Sequence, residues 1–173
     1  MNIVITGFMA SGKSRVSRVI AATSEFKMID TDDMITDRAG ISINEIFDKY
    51  GEEYFRMLEH ECVCEAAAMD NVVISTGGGV VLNEDNMEVL RRNGMIFNMS
   101  PSFEVIEMRL KDASATRPLL RDSDIEEVRE RFENRKPYYD NCDYKVRVSF
   151  AREAEDYAAE ILEAVRERQM MMD

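Results

Sequence analysis

The sequence predicts an α/β protein, a three-layer sandwich with helices on both faces of a central, mostly parallel five-stranded sheet. Three observations carry this reading. Five short β-branched, apolar runs alternate with helix-length segments, the pattern of a parallel sheet wound with helices. The first run leads directly into Gly7-Phe8-Met9-Ala10-Ser11-Gly12-Lys13-Ser14, a glycine-rich strand-to-helix turn. The chain has 173 residues, 45% of them hydrophobic, enough for one domain spanning 1–173 with a full core.

The strands are expected at Asn2–Thr6, Phe26–Asp30, Val72–Thr76, Met95–Met99 and Tyr144–Val148. The first helix is expected from about Gly12 to Ala22. The second begins near Asp30 and stops at Gly40. Ser42 reads as the N-cap of a short helix, with Glu45 completing a capping box. A long helix over Glu52–Met69 carries Phe55, Leu58, Cys62, Ala66 and Met69 on its apolar stripe. Cys62 on that stripe reads as a core residue. His60 lies about 200° around the helix from Leu58, toward solvent. A helix from Asn83 ends at Gly94, and another covers Phe103–Leu110. The polar stretch Lys111–Pro118 has no core-forming periodicity and reads as a mobile loop. Helices over Asp124–Asp140 and Ala151–Arg168 follow, and the tail 169–173 is expected to fray.

The net charge of −12 argues against nucleic acid or an anionic membrane as partner, since both need a basic face. No apolar run approaches a membrane span, and no secretory pattern precedes the first strand. A cytoplasmic location is therefore expected. No long exposed apolar stripe calls for a second subunit, which favours a monomer. Cys62-Val63-Cys64 has the wrong spacing for a metal or redox pair.

Ligands of a parallel sheet gather at the carboxyl ends of its strands, so the residues there carry the chemistry. Gly7–Ser14 matches G-x-x-x-x-G-K-[ST], the phosphate-binding P-loop. Its glycines let the backbone approach phosphate oxygens, and its N–H groups form an anion nest at a helix N-terminus. Lys13 reaches the β- and γ-phosphates, and the Ser14 hydroxyl is a ligand for Mg²⁺. After the second strand stands Asp30-Thr31-Asp32. The aspartates are either helix caps or a Mg²⁺ ligand and a substrate-hydroxyl acceptor. After the third strand come Gly77, Gly78 and Gly79, either a flexible turn or a backbone passing close to a ligand. Arg135 shares the inward stripe of Ile125, Val128, Phe132 and Tyr139, so its guanidinium must meet a buried acid or an anionic ligand. Arg56 flanks the apolar face of its helix and can pair with Glu53 or Glu59. Arg117 stands in the polar loop, either solvated or closing over the transferred phosphate.

Taken in order, the P-loop, D-T-D at 30–32, F-R-x-x-E at Phe55–Glu59, the triple glycine, R-P-L-L at Arg117–Leu120 and R-x-P-x-Y at Arg135–Tyr139 resemble the shikimate kinases. The resemblance runs from Ile3 to about Val148. It implies a P-loop kinase architecture like that of the nucleoside monophosphate kinases, with a mobile lid at about 111–122 and a substrate-binding region at about 31–60. It implies ATP and Mg²⁺ as cofactors and shikimate as the phosphoryl acceptor. Gly7, Ala10, Ser11, Gly12, Lys13 and Ser14 would then bind ATP, with Arg109 on the adenine face. Ser14 and Asp30 would hold Mg²⁺. Asp32 would bind the acceptor hydroxyls and serve as the base. Arg56 and Arg135 would clamp the carboxylate, and Gly77, Gly78 and Gly79 would close the pocket. Lys13, Asp32 and Arg117 form the implied catalytic set. The sequence departs from the family at 148–152, Val-Ser-Phe-Ala-Arg, which lacks the Asp and Pro common there. The lid is also less basic than usual. A kinase for another polyol acid such as gluconate, and a nucleotide-binding regulator without catalysis, are the rival readings. The two-arginine pattern favours a cyclic carboxylate. The presence of Ser14, Asp30 and Asp32 favours catalysis.

Overall fold

The computed structural model describes residues 1–114 and 122–173, without the side chains of 113, 114, 122 and 123. The elements alternate as β1 (Asn2–Gly7), α1 (Lys13–Thr23), β2 (Lys27–Asp30), α2 (Thr31–Ala39), α3 (Ile43–Ala67), β3 (Val72–Ser75), a 3₁₀ turn (Val80–Leu82), α4 (Glu84–Arg92), β4 (Gly94–Pro101), α5 (Phe103–Ser114), α6 (Asp122–Tyr139), β5 (Tyr144–Val148) and α7 (Ala154–Met172). The five strands form one sheet in the order β2-β3-β1-β4-β5, and every pair is parallel. The winding reverses at β1, between β3 and β4. That reversal opens a crevice at the carboxyl end of β1, where the P-loop begins.

The pleat assigns alternate residues to opposite faces. Val4, Ile74 and Ile96 pack with Val63, Met87, Ile106 and Phe132 on one face. Ile3, Ile5, Val73 and Phe97 pack with Val16, Ile20, Tyr157 and Ile161 from α1 and α7 on the other. A smaller cluster of Ile35, Ile46, Phe55, Leu58 and Cys62 fastens α2 to α3, so Cys62 is a core residue as expected. Among the described residues no helix is long and apolar enough to cross a membrane.

The capping box at Ser42 is present, with Glu45 N donating to Ser42 Oγ at 3.2 Å. The two helices read on either side of Gly51 meet there at φ 84°, a left-handed value that glycine tolerates, so α3 is bent rather than straight. Four expectations are corrected. Lys111–Ser114 continues α5 instead of opening a loop. No breaker interrupts the run, and Lys111 pairs with Glu107 one turn back at 3.2 Å. The rest of the expected lid, 115–121, lies outside the described residues. The last helix begins at Ala154, where Asp156 accepts from Glu153 N at 2.8 Å and fixes the start. That helix runs on to Met172, so the tail is helical rather than frayed. His60 is half-buried against α4 instead of facing solvent, its Nδ1 2.6 Å from Asn86 Oδ1.

Candidate active site

The P-loop turns tightly because Ala10 and Gly12 take positive φ, 59° and 94°. Gly7 admits no side chain, since a Cβ there would lie 2.6 Å from Ser11 Oγ and 3.1 Å from the Met99 carbonyl. Ser11 Oγ is buried and has no hydrogen-bond partner among the described residues. An orphaned hydroxyl in a nest of backbone N–H groups is the signature of a site shaped for an anion. Lys13 Nζ arches back over the loop and donates to the carbonyls of Gly7 and Phe8 at 2.7 and 3.0 Å. Burial pulls the Lys13 pKa down to about 8, while Asp32 and then Asp30 oppose the fall.

Asp30 both caps α2 and reaches the end of the P-loop. Its Oδ1 caps α2 by accepting from Asp32 N and Asp33 N at 2.9 and 3.3 Å. Its Oδ2 accepts from Ser14 Oγ at 3.2 Å. The pair offers hard oxygen donors beside the phosphate nest. Among the described residues no group of three or more His, Cys, Asp or Glu could hold a metal ion. This donor set fits Mg²⁺, which takes one or two protein oxygens and completes its shell with waters and phosphate oxygens.

The triple glycine is the hub of the other half of the site, and each glycine meets a different functional side chain. A Cβ on Gly77 would fall 2.6 Å from Asp32 Oδ1. A Cβ on Gly78 would fall 3.5 Å from Arg135 Nη1. A Cβ on Gly79 would overlap the Arg56 guanidinium. Asp32, Arg135 and Arg56 therefore line one stretch of bare backbone. Gly77 N donates to Thr31 Oγ1 at 3.0 Å, and Tyr139 Oη donates to the Gly78 carbonyl at 2.6 Å. These bonds tie the turn to α2 and α6.

The charges are uneven. Asp32 has its pKa pushed up to about 6 by burial, then by Asp30 and Glu59, against the pull of Lys13. Glu59 is almost fully buried and accepts from Arg56 Nη1 at 2.8 Å. Burial pushes the Glu59 pKa up, and the Arg56 bond opposes it. Arg135 has no carboxylate partner within ion-pair distance among the described residues. Its guanidinium carbon lies 6.0 Å from the centre of the Phe8 ring. A side-chain hydrogen bond joins Arg135 to Tyr139.

On the far side of the P-loop, Arg109 Nη1 donates to the Ala10 carbonyl at 2.8 Å. It borders a cavity of about 330 Å³ lined also by Ser11, Gly12, Arg152 and Tyr157. Arg152 lies 4.6 Å from the centre of the Tyr157 ring and pairs with Glu160. Of the residues expected in the site, Gly7–Ser14, Asp30, Asp32, Arg56, Gly77–Gly79, Arg109 and Arg135 gather at the carboxyl edge of the sheet. Arg117 lies outside the described residues. Thr31, Tyr139 and Arg152 were not assigned roles from sequence, nor was Glu59 seen as a buried anchor. The F-R-x-x-E spacing, one helical turn from Arg56 to Glu59, was the available signal for the last.

A family model of the shikimate kinases matches residues 9–166. A shikimate kinase of Caldanaerobacter subterraneus subsp. tengcongensis is 46% identical over 166 residues, 94% of this chain and 95% of the relative. A crystal structure of shikimate kinase from Aquifex aeolicus is 34% identical, covers 98% of this chain and 99% of its own, and superposes with a TM-score of 0.81. The shikimate kinase from Acinetobacter baumannii in complex with shikimate is 27% identical over 96% of this chain and 93% of its own, at a TM-score of 0.86. With the P-loop, the paired oxygens and the glycine hub in one crevice, the chain belongs to the shikimate kinase family and is a small-molecule kinase.

Proposed function

We propose that this protein transfers the γ-phosphoryl group of ATP to a hydroxyl of shikimate, giving shikimate 3-phosphate on the route to chorismate and the aromatic amino acids. The observation that carries the reading is the convergence of one carboxylate and two guanidinium groups on the bare backbone of Gly77–Gly79. Asp32 faces the acceptor hydroxyls there. Arg56, steadied by Glu59, and Arg135 take the acceptor carboxylate in the charge-assisted geometry that guanidinium suits.

Lys13, the P-loop amides and the Ser11 hydroxyl hold the ATP phosphates, and Arg109 borders the cavity for the base. Ser14 and Asp30 would hold Mg²⁺, which would supply positive charge against the phosphates of ATP. Asp32 is ionised at neutral pH even with a raised pKa, so it orients the attacking hydroxyl and receives its proton. Arg117 would meet the transferred phosphate from the segment between α5 and α6. Phosphoryl transfer asks mainly for positioning and charge stabilisation, and these side chains supply both. The reading includes a single domain over 1–173 with acceptor contacts from about 31–60. It also includes a monomer in the cytoplasm, without nucleic acid or membrane partners, and the net charge of −12 supports that last part.

A coupled assay of ADP release with shikimate, with gluconate and with no acceptor tests the reading. Release should depend on shikimate. Equal release with gluconate would make the protein a general polyol-acid kinase. Release without any acceptor would make it a nucleotide hydrolase.

A further inference from the structure

Behind the glycine hub, three side chains outside the phosphoryl-transfer site form a chain of hydrogen bonds from solvent to backbone. Cys64 and His60 stand one turn apart on α3, and Asn86 faces them from α4. Cys64 Sγ lies 3.6 Å from His60 Nε2, and His60 Nδ1 lies 2.6 Å from Asn86 Oδ1. Asn86 is fully buried, and its Nδ2 donates to the Val80 carbonyl at 3.1 Å. That last bond orients the whole chain. With its NH₂ committed to a carbonyl, Asn86 offers His60 only an acceptor. Nδ1 must therefore carry the imidazole proton, and Nε2 presents a lone pair to the thiol.

A base beside a thiol, with a third group fixing the base, is the arrangement that activates a cysteine nucleophile. The thiolate is the reacting form. Cys64 is half-buried, so part of it is open to solvent. The other two cysteines lack this support. Cys62 is fully buried, and burial pushes the thiols of both Cys62 and Cys142 upward.

We propose that Cys64 is a reactive thiol, modified by thiol–disulfide exchange with small disulfides. In the step, the Cys64 proton passes to His60 Nε2 and the thiolate attacks one sulfur of the disulfide. The S–S bond of the reagent breaks as the new one forms. The departing thiolate takes the proton from the imidazolium. Cys64 is oxidised to a mixed disulfide, half of the reagent is reduced, and no other oxidant is consumed.

The adduct has a structural consequence. The added group occupies the space beside the imidazole and displaces His60, and with it the Asn86 contact to Val80. Val80 N donates to the Gly77 carbonyl at 3.2 Å, and Leu82 N to the Gly79 carbonyl at 3.1 Å. Modification thereby loosens the turn on which Asp32, Arg135 and Arg56 rest. The effect on acceptor binding depends on the function proposed above, whereas the reactivity of Cys64 does not.

The test treats the full-length protein with hydroxyethyl disulfide, a neutral reagent insensitive to the charge of −12. Peptide mass spectrometry follows each cysteine over time. Cys64 should react about tenfold faster than Cys142, and His60→Gln should remove about that advantage. The modified protein should bind shikimate severalfold more weakly and nucleotide unchanged, with reversal by dithiothreitol. Cys64→Ser should keep normal turnover and lose the sensitivity. Equal rates at Cys64 and Cys142 in the unaltered protein would overturn the proposal. So would an unchanged Cys64 rate in His60→Gln, with buried Cys62 staying unlabelled as proof that the variant is folded. Full shikimate affinity in the modified protein would refute the transmission to the glycine turn. An unmodified protein that binds no shikimate would instead count against the proposed function.

Discussion

Replacing Asp32 by asparagine separates the stability of this site from its chemistry. The carboxyl is packed against Gly77 and shares its surroundings with Asp30 and Glu59, which raises its pKa from 3.8 to about 6. A shift of about two units corresponds to about 3 kcal/mol at roughly 1.4 kcal/mol per unit. The sign follows from which state holds the proton more tightly. Here it is the folded state, so the contribution of Asp32 to stability is complete below about pH 4 and is lost as the pH rises through about 6. Asparagine does not titrate. The variant should match the unaltered protein at about pH 4 and exceed it at about pH 8. Some of the gain is returned, because Lys13 loses a carboxylate that supports its own charged form. We expect a net stabilisation of about 1–2 kcal/mol at neutral pH, at about 2–4 °C of Tm per kcal/mol for a chain of this size. Turnover should fall by about 10²–10⁴ at the same time. Thermal melts of both proteins across this pH range, with nucleotide and acceptor left out, make the measurement. A difference in Tm that does not change with pH, or a variant less stable at about pH 8, would refute the electrostatic account of Asp32.

Other substitutions probe the remaining parts. Lys13→Ala should abolish phosphoryl transfer with no loss of fold, since burial already disfavours its charge; single-turnover kinetics and circular dichroism check the two halves. Arg135→Ala should weaken shikimate binding by about 2–5 kcal/mol and leave nucleotide binding almost unchanged, as read by calorimetric titration with each ligand. Glu59→Ala should destabilise the fold by about 1–3 kcal/mol, less than a fully buried pair because Arg56 is partly open, and should raise the KM for shikimate. Chemical denaturation and steady-state kinetics test that pair of effects.

Much of this arrangement was legible in the sequence, for identifiable reasons. The central strands announced themselves because both faces of the sheet are covered there, so β1, β3 and β4 are near-continuous apolar runs, while edge strand β5 alternates Lys145 and Arg147 with buried Val146 and Val148. The P-loop, the D-T-D triplet and the triple glycine were legible because backbone geometry and anion chemistry restrict those positions to few residue types. What escaped depends on tertiary neighbours. Glu59 looked like a surface partner for Arg56, and only the packing of α3 on the rest of the site shows it buried. His60 looked solvent-facing because helical angle alone cannot reveal α4 beside it, where Asn86 receives its Nδ1. The end of α5 was misread because Lys-Asp-Ala-Ser suits a helix surface as well as a loop. The start of α7 depends on a capping contact between Asp156 and Glu153, which composition at 151–156 does not distinguish from other turns. Arg152 entered the cavity beside Arg109 through the loop after β5, where the familiar Asp and Pro are missing.

The central claim is that the two halves of the crevice bring an ATP phosphate to a shikimate hydroxyl. The most direct test follows the phosphoryl group itself. The protein is incubated with γ-labelled ATP, Mg²⁺ and shikimate, and the products are separated and identified by mass spectrometry and phosphorus NMR. The account predicts label in shikimate 3-phosphate, one equivalent for each ADP formed. Label appearing only as inorganic phosphate, with shikimate recovered unchanged, would contradict it.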